Sequence, residues 1–471
     1  MDKELKIIRI IPSKSYAHRA YICDFLAGEC SRDTDSEVGC LPVGGSASEI
    51  VSDADWCEGA LDLSSDDSCC GVICDLDSDD INATRECIEG LRCGAEIIDV
   101  HESGSTLRFI MPLAGVLGKA VLIRTRGRLS ERPMGPFEDE LVQHGMKIEH
   151  EPSGIIRVSG KLTPGEYRLP GAISSQFITG LLLSLPYLDG DSTIVLTSEL
   201  QSSAYVDITM DVLKSYGVGI RTSAASDHAY NRASDSEYET AQYMIPGGQH
   251  YHRETPYIVE GDWSQAAFWL AAGTIGSAPV RVTGLNTDSV QGDRKMVEML
   301  RSFGARIEIG ANNSREGFAD AYPSKLHGIT VDVSEIPDLA PAIACAGAAA
   351  EGETRLVNAG RLRYKESDRI KSIVECLKAV GISAEEREDE IIISGCGGCS
   401  GCGGIMPAGG AVDAAGDHRI VMMAAILSLI TKGKVAIEGS DAVSKSYPTF
   451  FRELERAGMA GNILKVSENP I

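Results

Sequence analysis

The sequence predicts an α/β protein of two domains, each made from three copies of a unit with about four strands and two helices. Three observations over the 471 residues predict this. Six amphipathic helical stretches each end in a glycine, in most cases followed by a short β-like run. Six further stretches, rich in Ala and Leu and nearly free of charge, read as buried helices. Each buried helix begins beside a polar or charged motif, which suggests helix dipoles converging on a cleft.

The amphipathic stretches are residues 81–94, 136–145, 206–217, 294–304, 370–381 and 449–458. Apolar residues recur at i, i+3 and i+4 before each glycine, the pattern of a helix with one buried face. The glycine stands where a left-handed C-cap is expected. Successive glycines are 51, 72, 87, 77 and 77 residues apart. That is longer than a solenoid repeat, so the unit is a larger α/β module. Buried helices are expected over 16–26, 106–117, 176–185, 264–272, 340–349 and 419–429. Their opening motifs are Ser13-Lys14-Ser15, Glu102-Ser103-Gly104-Ser105, Ser174-Ser175-Gln176, Glu260-Gly261-Asp262, Ile336-Pro337-Asp338 and Asp417-His418-Arg419. Three stretches break the rhythm and read as insertions or loops: acidic 29–73, polar 223–252 and Gly-rich 395–416.

Bulk composition narrows the function. Hydrophobic residues make up 43% and aromatics 6%, so the core is expected to be aliphatic. The net charge of −24 argues against nucleic acid or an anionic membrane as partner. The longest apolar runs, such as 420–430, are too short to span a bilayer. With no signal-peptide pattern at the N-terminus, a cytoplasmic protein is expected. Nine of the 14 cysteines precede residue 94 and are expected as free thiols. Cys396-Gly-Gly-Cys399-Ser-Gly-Cys402 has a spacing that can hold zinc or an iron–sulfur cluster. No fourth ligand follows at regular spacing, so it reads as a Gly/Cys surface loop and no metal is expected. There is no P-loop, no GxGxxG in a βαβ setting and no HExxH, so no cofactor is indicated.

The cations gather inside motifs. Lys14 and Arg19 lie at the first buried helix, and Arg124, Arg126, Arg128 and Arg132 crowd one loop. Arg361, Arg363, Lys365 and Arg369 form a third group, with Arg419 and Lys445 beyond it. Any one of these could be a surface ion pair. Several groups at motif positions of a repeated architecture instead suit substrates carrying several phosphates or carboxylates. Ser15, Ser174, Ser175, Gln176 and Ser202 would supply neutral hydrogen bonds to hydroxyls. Asp338 and Glu366 lie among the cations and could transfer protons; their bland readings are a helix cap and an ion pair with Lys365 or Arg369.

These motifs resemble the enolpyruvyl transferases, and within them the 5-enolpyruvylshikimate-3-phosphate synthases (3-phosphoshikimate 1-carboxyvinyltransferases). The matching segments include Pro12 to Arg19, Ser103 to Arg108, Gly127 to Pro133, Ser174 to Phe177, Tyr205 to Thr209 and Val259 to Asp262. They continue with Gln291 to Asp293, Ile336 to Asp338, Lys365 to Arg369, Gly416 to Arg419 and Ser444 to Pro448. The resemblance implies a two-domain inside-out α/β barrel of six βαβαββ repeats, three per domain. One domain would comprise 1–13 with 260–471, the other 14–259 with the insertion at 29–73. It implies transfer of the enolpyruvyl group of phosphoenolpyruvate to the 5-hydroxyl of shikimate 3-phosphate, releasing phosphate through a tetrahedral intermediate, by a monomer.

By motif match, Lys14, Gly104, Arg128, Gln176, Arg369, Arg419 and Lys445 should meet phosphoenolpyruvate. Lys14, Ser15, Arg19, Ser174, Ser175, Gln176, Ser202, Tyr205, Asp338 and Lys365 should hold shikimate 3-phosphate. Asp338 is the implied base for the hydroxyl and Glu366 the implied proton donor to the methylene carbon, with Lys14 also in the catalytic set. Glu102 stands where the family often has Asn; a carboxylate there either weakens phosphoenolpyruvate binding or turns away. The related transferase acting on UDP-N-acetylglucosamine is the nearest alternative. It normally has Lys-Asn where this chain has Lys14-Ser15, and a reactive Cys in the loop that here runs from Gly127 to Pro133 without one. A non-catalytic, metal-binding relative using the Cys-rich segments is the alternative from another class.

Overall fold

In the computed structural model, residues 4–32, 71–151, 154–223, 241–312, 316–397 and 406–466 are described. Four of the sheets share one design: two parallel strands, then a third antiparallel to the second, then a fourth on the outer edge of the third. Ile97–Asp99 pairs with Val121–Arg124 in parallel, Ile155–Gly160 joins antiparallel, and Met146–Glu151 takes the edge. A buried helix links the two parallel strands, and an amphipathic one links the second of them to the edge strand, which turns back into the antiparallel one; the chain order is βαβαββ. Among the described residues, one further sheet has three strands, all parallel, and one has only two.

Two sheets take a strand from far away in sequence. Lys6–Arg9 pairs in parallel with Val280–Leu285, and Tyr257–Ile258 pairs with Val72–Ile73. The chain thus crosses twice between two hydrophobic cores. One core contains residues from Tyr16 to Val259; the other contains Ile8 and Ile10 together with residues from Trp263 to Met459.

The helices follow the sequence pattern closely. Gly94, Gly145, Gly217, Gly304, Gly381 and Gly458 all have positive φ, between 69° and 106°. A Cβ is strained in that region, so glycine ends the helix there. The buried helices Gly104–Val116, Ser175–Ser184, Trp263–Ile275, Ala340–Ala349 and His418–Leu427 lie within a few residues of expectation. Four are capped by motif side chains: Ser103 accepts from Thr106 N, Ser174 from Gln176 N, Asp262 from Gln265 N and Asp417 from Arg419 N.

The irregular stretches differ from expectation at their edges. The first helix, Lys14–Arg32, continues past Glu29, and Val72–Ile73 is a strand. Gln242–Ile245 is a strand because Tyr243 and Ile245 alternate inward and pair with Ser192–Ser198. Gly410–Asp413 is a strand within 395–416. Cys399 and Cys402 lie outside the described residues, as do 33–70 and 224–240.

Candidate active site

The N-terminal ends of the buried helices meet at a cleft of about 390 Å3 between the two cores. One side supplies Lys14, Ser15, Arg19, Gly104, Ser174, Ser175, Gln176, Ser202 and Tyr205. The other supplies Asp338, Lys365, Glu366, Arg369 and Arg419. Arg128 and Lys445 are the two expected residues that do not line it. Arg128 is half exposed and pairs with Glu131 at 3.4 Å, while Lys445 pairs with Glu102 at 2.5 Å. Arg108, Arg132, Arg361 and His418 line the cleft without having been assigned a role from sequence. Three of them sat inside segments singled out as motifs; nothing local marked Arg108 and Arg132 as facing the cleft rather than solvent.

Asp338 lies in a 3-10 turn, Pro337–Leu339, and caps nothing; the N-cap of Ala340–Ala349 is Leu339. Its carboxylate is therefore available to the cleft. Oδ1 accepts from Arg369 Nη1 at 2.9 Å and from Lys365 Nζ at 3.3 Å. Oδ2 accepts from Arg419 Nη2 at 3.0 Å and from the Tyr205 hydroxyl at 2.9 Å. Burial alone would raise its pKa, but Arg419, Lys365 and Arg369 together hold it well below the usual carboxylate range.

Glu366 is held in the same way. Burial opposes ionisation, and the charges of Arg369, Arg132 and Lys365 outweigh it, so the carboxyl lies well below its ordinary value. Arg369 Nη2 donates to Glu366 Oε2, and Arg132 Nη2 lies 3.4 Å from Oε1. Arg369 is 1% exposed. It also donates from Nε to Asp417 Oδ2 at 2.8 Å, a carboxylate that has no exposed surface at all. A planar guanidinium fork addresses all three carboxylates at once, which an ammonium cannot do.

The residues on the other side of the cleft are equally constrained. Arg19 donates from Nη1 to Ser15 O at 2.6 Å, from Nε to Thr209 Oγ1 at 2.8 Å and from Nη2 to Tyr205 O at 2.9 Å. Gln176 donates to Ser105 Oγ at 2.9 Å and accepts from Arg108 Nη1 at 3.0 Å. A Cβ at Gly104 would lie 2.6 Å from both Arg108 Nη1 and Arg132 Nη1, so glycine is what lets the two guanidiniums converge there. Lys14 Nζ pairs with Asp80 at 2.6 Å. Ser202 has φ +58°, uncommon for a side chain. The Glu335 carboxylate holds it from the opposite core, accepting from Ser202 N at 2.8 Å and Ser203 N at 2.9 Å.

Counted among the described residues, the lining carries eight cationic side chains: Lys14, Arg19, Arg108, Arg132, Arg361, Lys365, Arg369 and Arg419. Four carboxylates face them, those of Asp80, Asp262, Asp338 and Glu366. A surplus of positive charge inside a chain of net charge −24 marks a site for small anions carrying more than one charge. His418 adds none: burial, and then Lys14, push its pKa down to about 3, and neither ring nitrogen has a hydrogen-bond partner. The arrangement can neutralise a polyanion and present two carboxylates for proton transfer.

Comparison with known proteins agrees with this geometry. The EPSP synthase (3-phosphoshikimate 1-carboxyvinyltransferase) family model matches residues 71–454. The 3-phosphoshikimate 1-carboxyvinyltransferase of Clostridium novyi is 40% identical over 79% of this chain and 78% of its own. That of Clostridium kluyveri is 36% identical over 96% of this chain and 94% of its own. Among solved structures, an EPSP synthase from Acinetobacter baumannii covers 98% of this chain and 97% of its own, with a TM-score of 0.68 at 23% identity, a likeness of fold.

Proposed function

The chain belongs to the EPSP synthase (3-phosphoshikimate 1-carboxyvinyltransferase) family, and on that premise we propose which of its residues carry the reaction. The enzyme, of the two-domain enolpyruvyl-transferase fold, transfers the enolpyruvyl group of phosphoenolpyruvate to the 5-hydroxyl of shikimate 3-phosphate and releases phosphate, a step of the shikimate pathway. The relatives it matches act under that name, so UDP-N-acetylglucosamine is not favoured as acceptor. We take its two domains to be 1–13 with 260–471 and 14–259, in keeping with the two cores.

In our assignment Ser15, Arg19, Ser174, Ser175, Gln176, Ser202, Tyr205 and Lys365 hold shikimate 3-phosphate. Lys14, Gly104, Gln176, Arg369 and Arg419 meet phosphoenolpyruvate, and Arg128 and Lys445 join them once their ion pairs open. Asp338 removes the proton of the 5-hydroxyl, whose oxygen bonds to C2 of phosphoenolpyruvate as Glu366 protonates the methylene C3. The tetrahedral intermediate then loses phosphate from C2, which takes the proton held by Asp338, while C3 returns a proton to Glu366; this restores the enol ether. Both carboxyls sit low in pKa because cations crowd them. An incoming polyanion takes up that positive charge, so each carboxyl becomes more basic once substrates are bound. Preorganised cations facing the charge that develops are the largest expected catalytic contribution. Next comes the positioning of two anions that repel each other.

One observation supports this most: residues spread from Lys14 to Arg419 converge on a single cleft with eight cations against four carboxylates. The test is phosphate release from phosphoenolpyruvate with shikimate 3-phosphate, with UDP-N-acetylglucosamine in parallel. Release only with shikimate 3-phosphate, lost by at least about 100-fold in Asp338→Asn and Glu366→Gln, is expected. Release only with the nucleotide sugar would refute the acceptor assignment. No helix among the described residues is long and apolar enough to cross a membrane. We take the working form to be a cytoplasmic monomer, to be checked by light scattering and cell fractionation.

A further inference from the structure

Glu102 and Lys445 form an ion pair between the two cores. Glu102 Oε2 lies 2.5 Å from Lys445 Nζ, and the same ammonium donates to Gly416 O at 2.8 Å. Both ends adjoin the cleft without lining it. Gly104, two residues after Glu102, is a lining residue, and so is His418, two residues after Gly416. The seat of the carboxylate is built into the backbone. Gly127 has φ +54°, and a Cβ there would lie 2.7 Å from Glu102 Cδ, so only glycine leaves the space. Arg126 N donates to His101 O at 2.8 Å and ties that turn to the segment carrying Glu102. The neighbouring cations are engaged elsewhere: Arg126 donates twice to Asp99, and Arg128 pairs with Glu131.

We propose that Glu102 sets the enzyme's affinity for phosphoenolpyruvate by competing with it for the Lys445 ammonium. The inference rests on the reading of Lys445 as a phosphoenolpyruvate ligand. Two of the three ammonium donors are committed, one to Glu102 and one to Gly416 O. A phosphate or carboxylate group that approaches Nζ meets the negative charge of Glu102 at the same ammonium, so the two anions compete for it. The apparent affinity for the donor substrate is then reduced by the fraction of molecules in which the pair is open. A part-buried ion pair of ordinary strength corresponds to about fivefold. The acceptor side of the cleft does not touch the pair, so affinity for shikimate 3-phosphate is untouched.

Steady-state kinetics of wild type, Glu102→Gln and Glu102→Asn with both substrates varied provide the test. The expected result is a KM for phosphoenolpyruvate about fivefold lower in both variants, with KM for shikimate 3-phosphate unchanged. A carboxylate that merely held the fold together would raise both constants or lower the melting temperature. Should either variant fail to fold, Glu102→Asp keeps the charge on a shorter side chain and is expected to lower the same KM by lengthening the pair. An unchanged or raised KM for phosphoenolpyruvate in these variants, alongside an active wild type, overturns the inference and leaves the family reading standing. A wild type silent with shikimate 3-phosphate overturns both.

Discussion

Replacing Arg369 with Lys keeps the charge and removes the fork. Arg369 makes four charge-assisted bonds: Nε to Asp417 Oδ2, Nη1 to Asp338 Oδ1, and Nη2 to Glu366 Oε2 and to Asp417 Oδ1. Burial would lower its pKa, but Asp417, Glu366 and Asp338 together raise it, so it stays charged. A lysine ammonium reaches at most two of the three carboxylates, which leaves about two bonds unmade. At about 1.5–3 kcal/mol for each bond to a charged group, the loss is about 3–6 kcal/mol. Part falls on stability, because a carboxylate is left uncompensated in a buried site. Part falls on catalysis, because Asp338 and Glu366 lose the group that orients both. With about 1.4 kcal/mol per tenfold change, kcat/KM should drop at least about 100-fold. Urea unfolding and steady-state phosphate release measure the two parts. A Lys variant within threefold of wild type in kcat/KM and with an unchanged urea midpoint would refute the claim that this fork organises the site.

Two further outcomes follow from the geometry. Glu335 caps the Ser203–Ser215 helix from the opposite core through Ser202 N, Ser203 N and Ser203 Oγ. Glu335→Ala should therefore raise KM for shikimate 3-phosphate by about tenfold, with KM for phosphoenolpyruvate steady, since a lost cap costs about 0.5–2 kcal/mol; equal rises in both constants would count against it. His418 is held neutral down to about pH 3 by burial, whereas the unfolded chain protonates it near 6.5. Its contribution to stability is therefore complete above pH 6.5 and is lost as pH falls toward 3. His418→Gln should flatten the acid limb of the urea-unfolding free energy by about 1.4 kcal/mol per pH unit in that window. An unchanged slope would mean that His418 protonates freely in the folded protein.

Much of the architecture was legible in the residues alone. Six glycines closing amphipathic stretches are six left-handed caps, and Ser103, Ser174, Asp262 and Asp417 cap the helices that their motifs precede. Caps and periodicity act over one or two turns, so a linear reading captures them. The strand at Gln242–Ile245 was missed because its inward residues declare themselves only against Ser192–Ser198. The role of Asp338 could not be separated from a helix cap by sequence, because the turn that frees its carboxylate is a matter of backbone geometry.

The sequence by itself determined which residue types stand at the helix starts, and hence that the site binds anions. Only the tertiary structure decided which charges face one another. Lys445 meets Glu102 across 343 positions, and Arg419 meets Asp338 across 81. Arg108 and Arg132 reach the cleft only because Gly104 leaves room for both guanidiniums. Charge pairing depends on distance in space, and here the chain crosses twice between two cores before that distance is set.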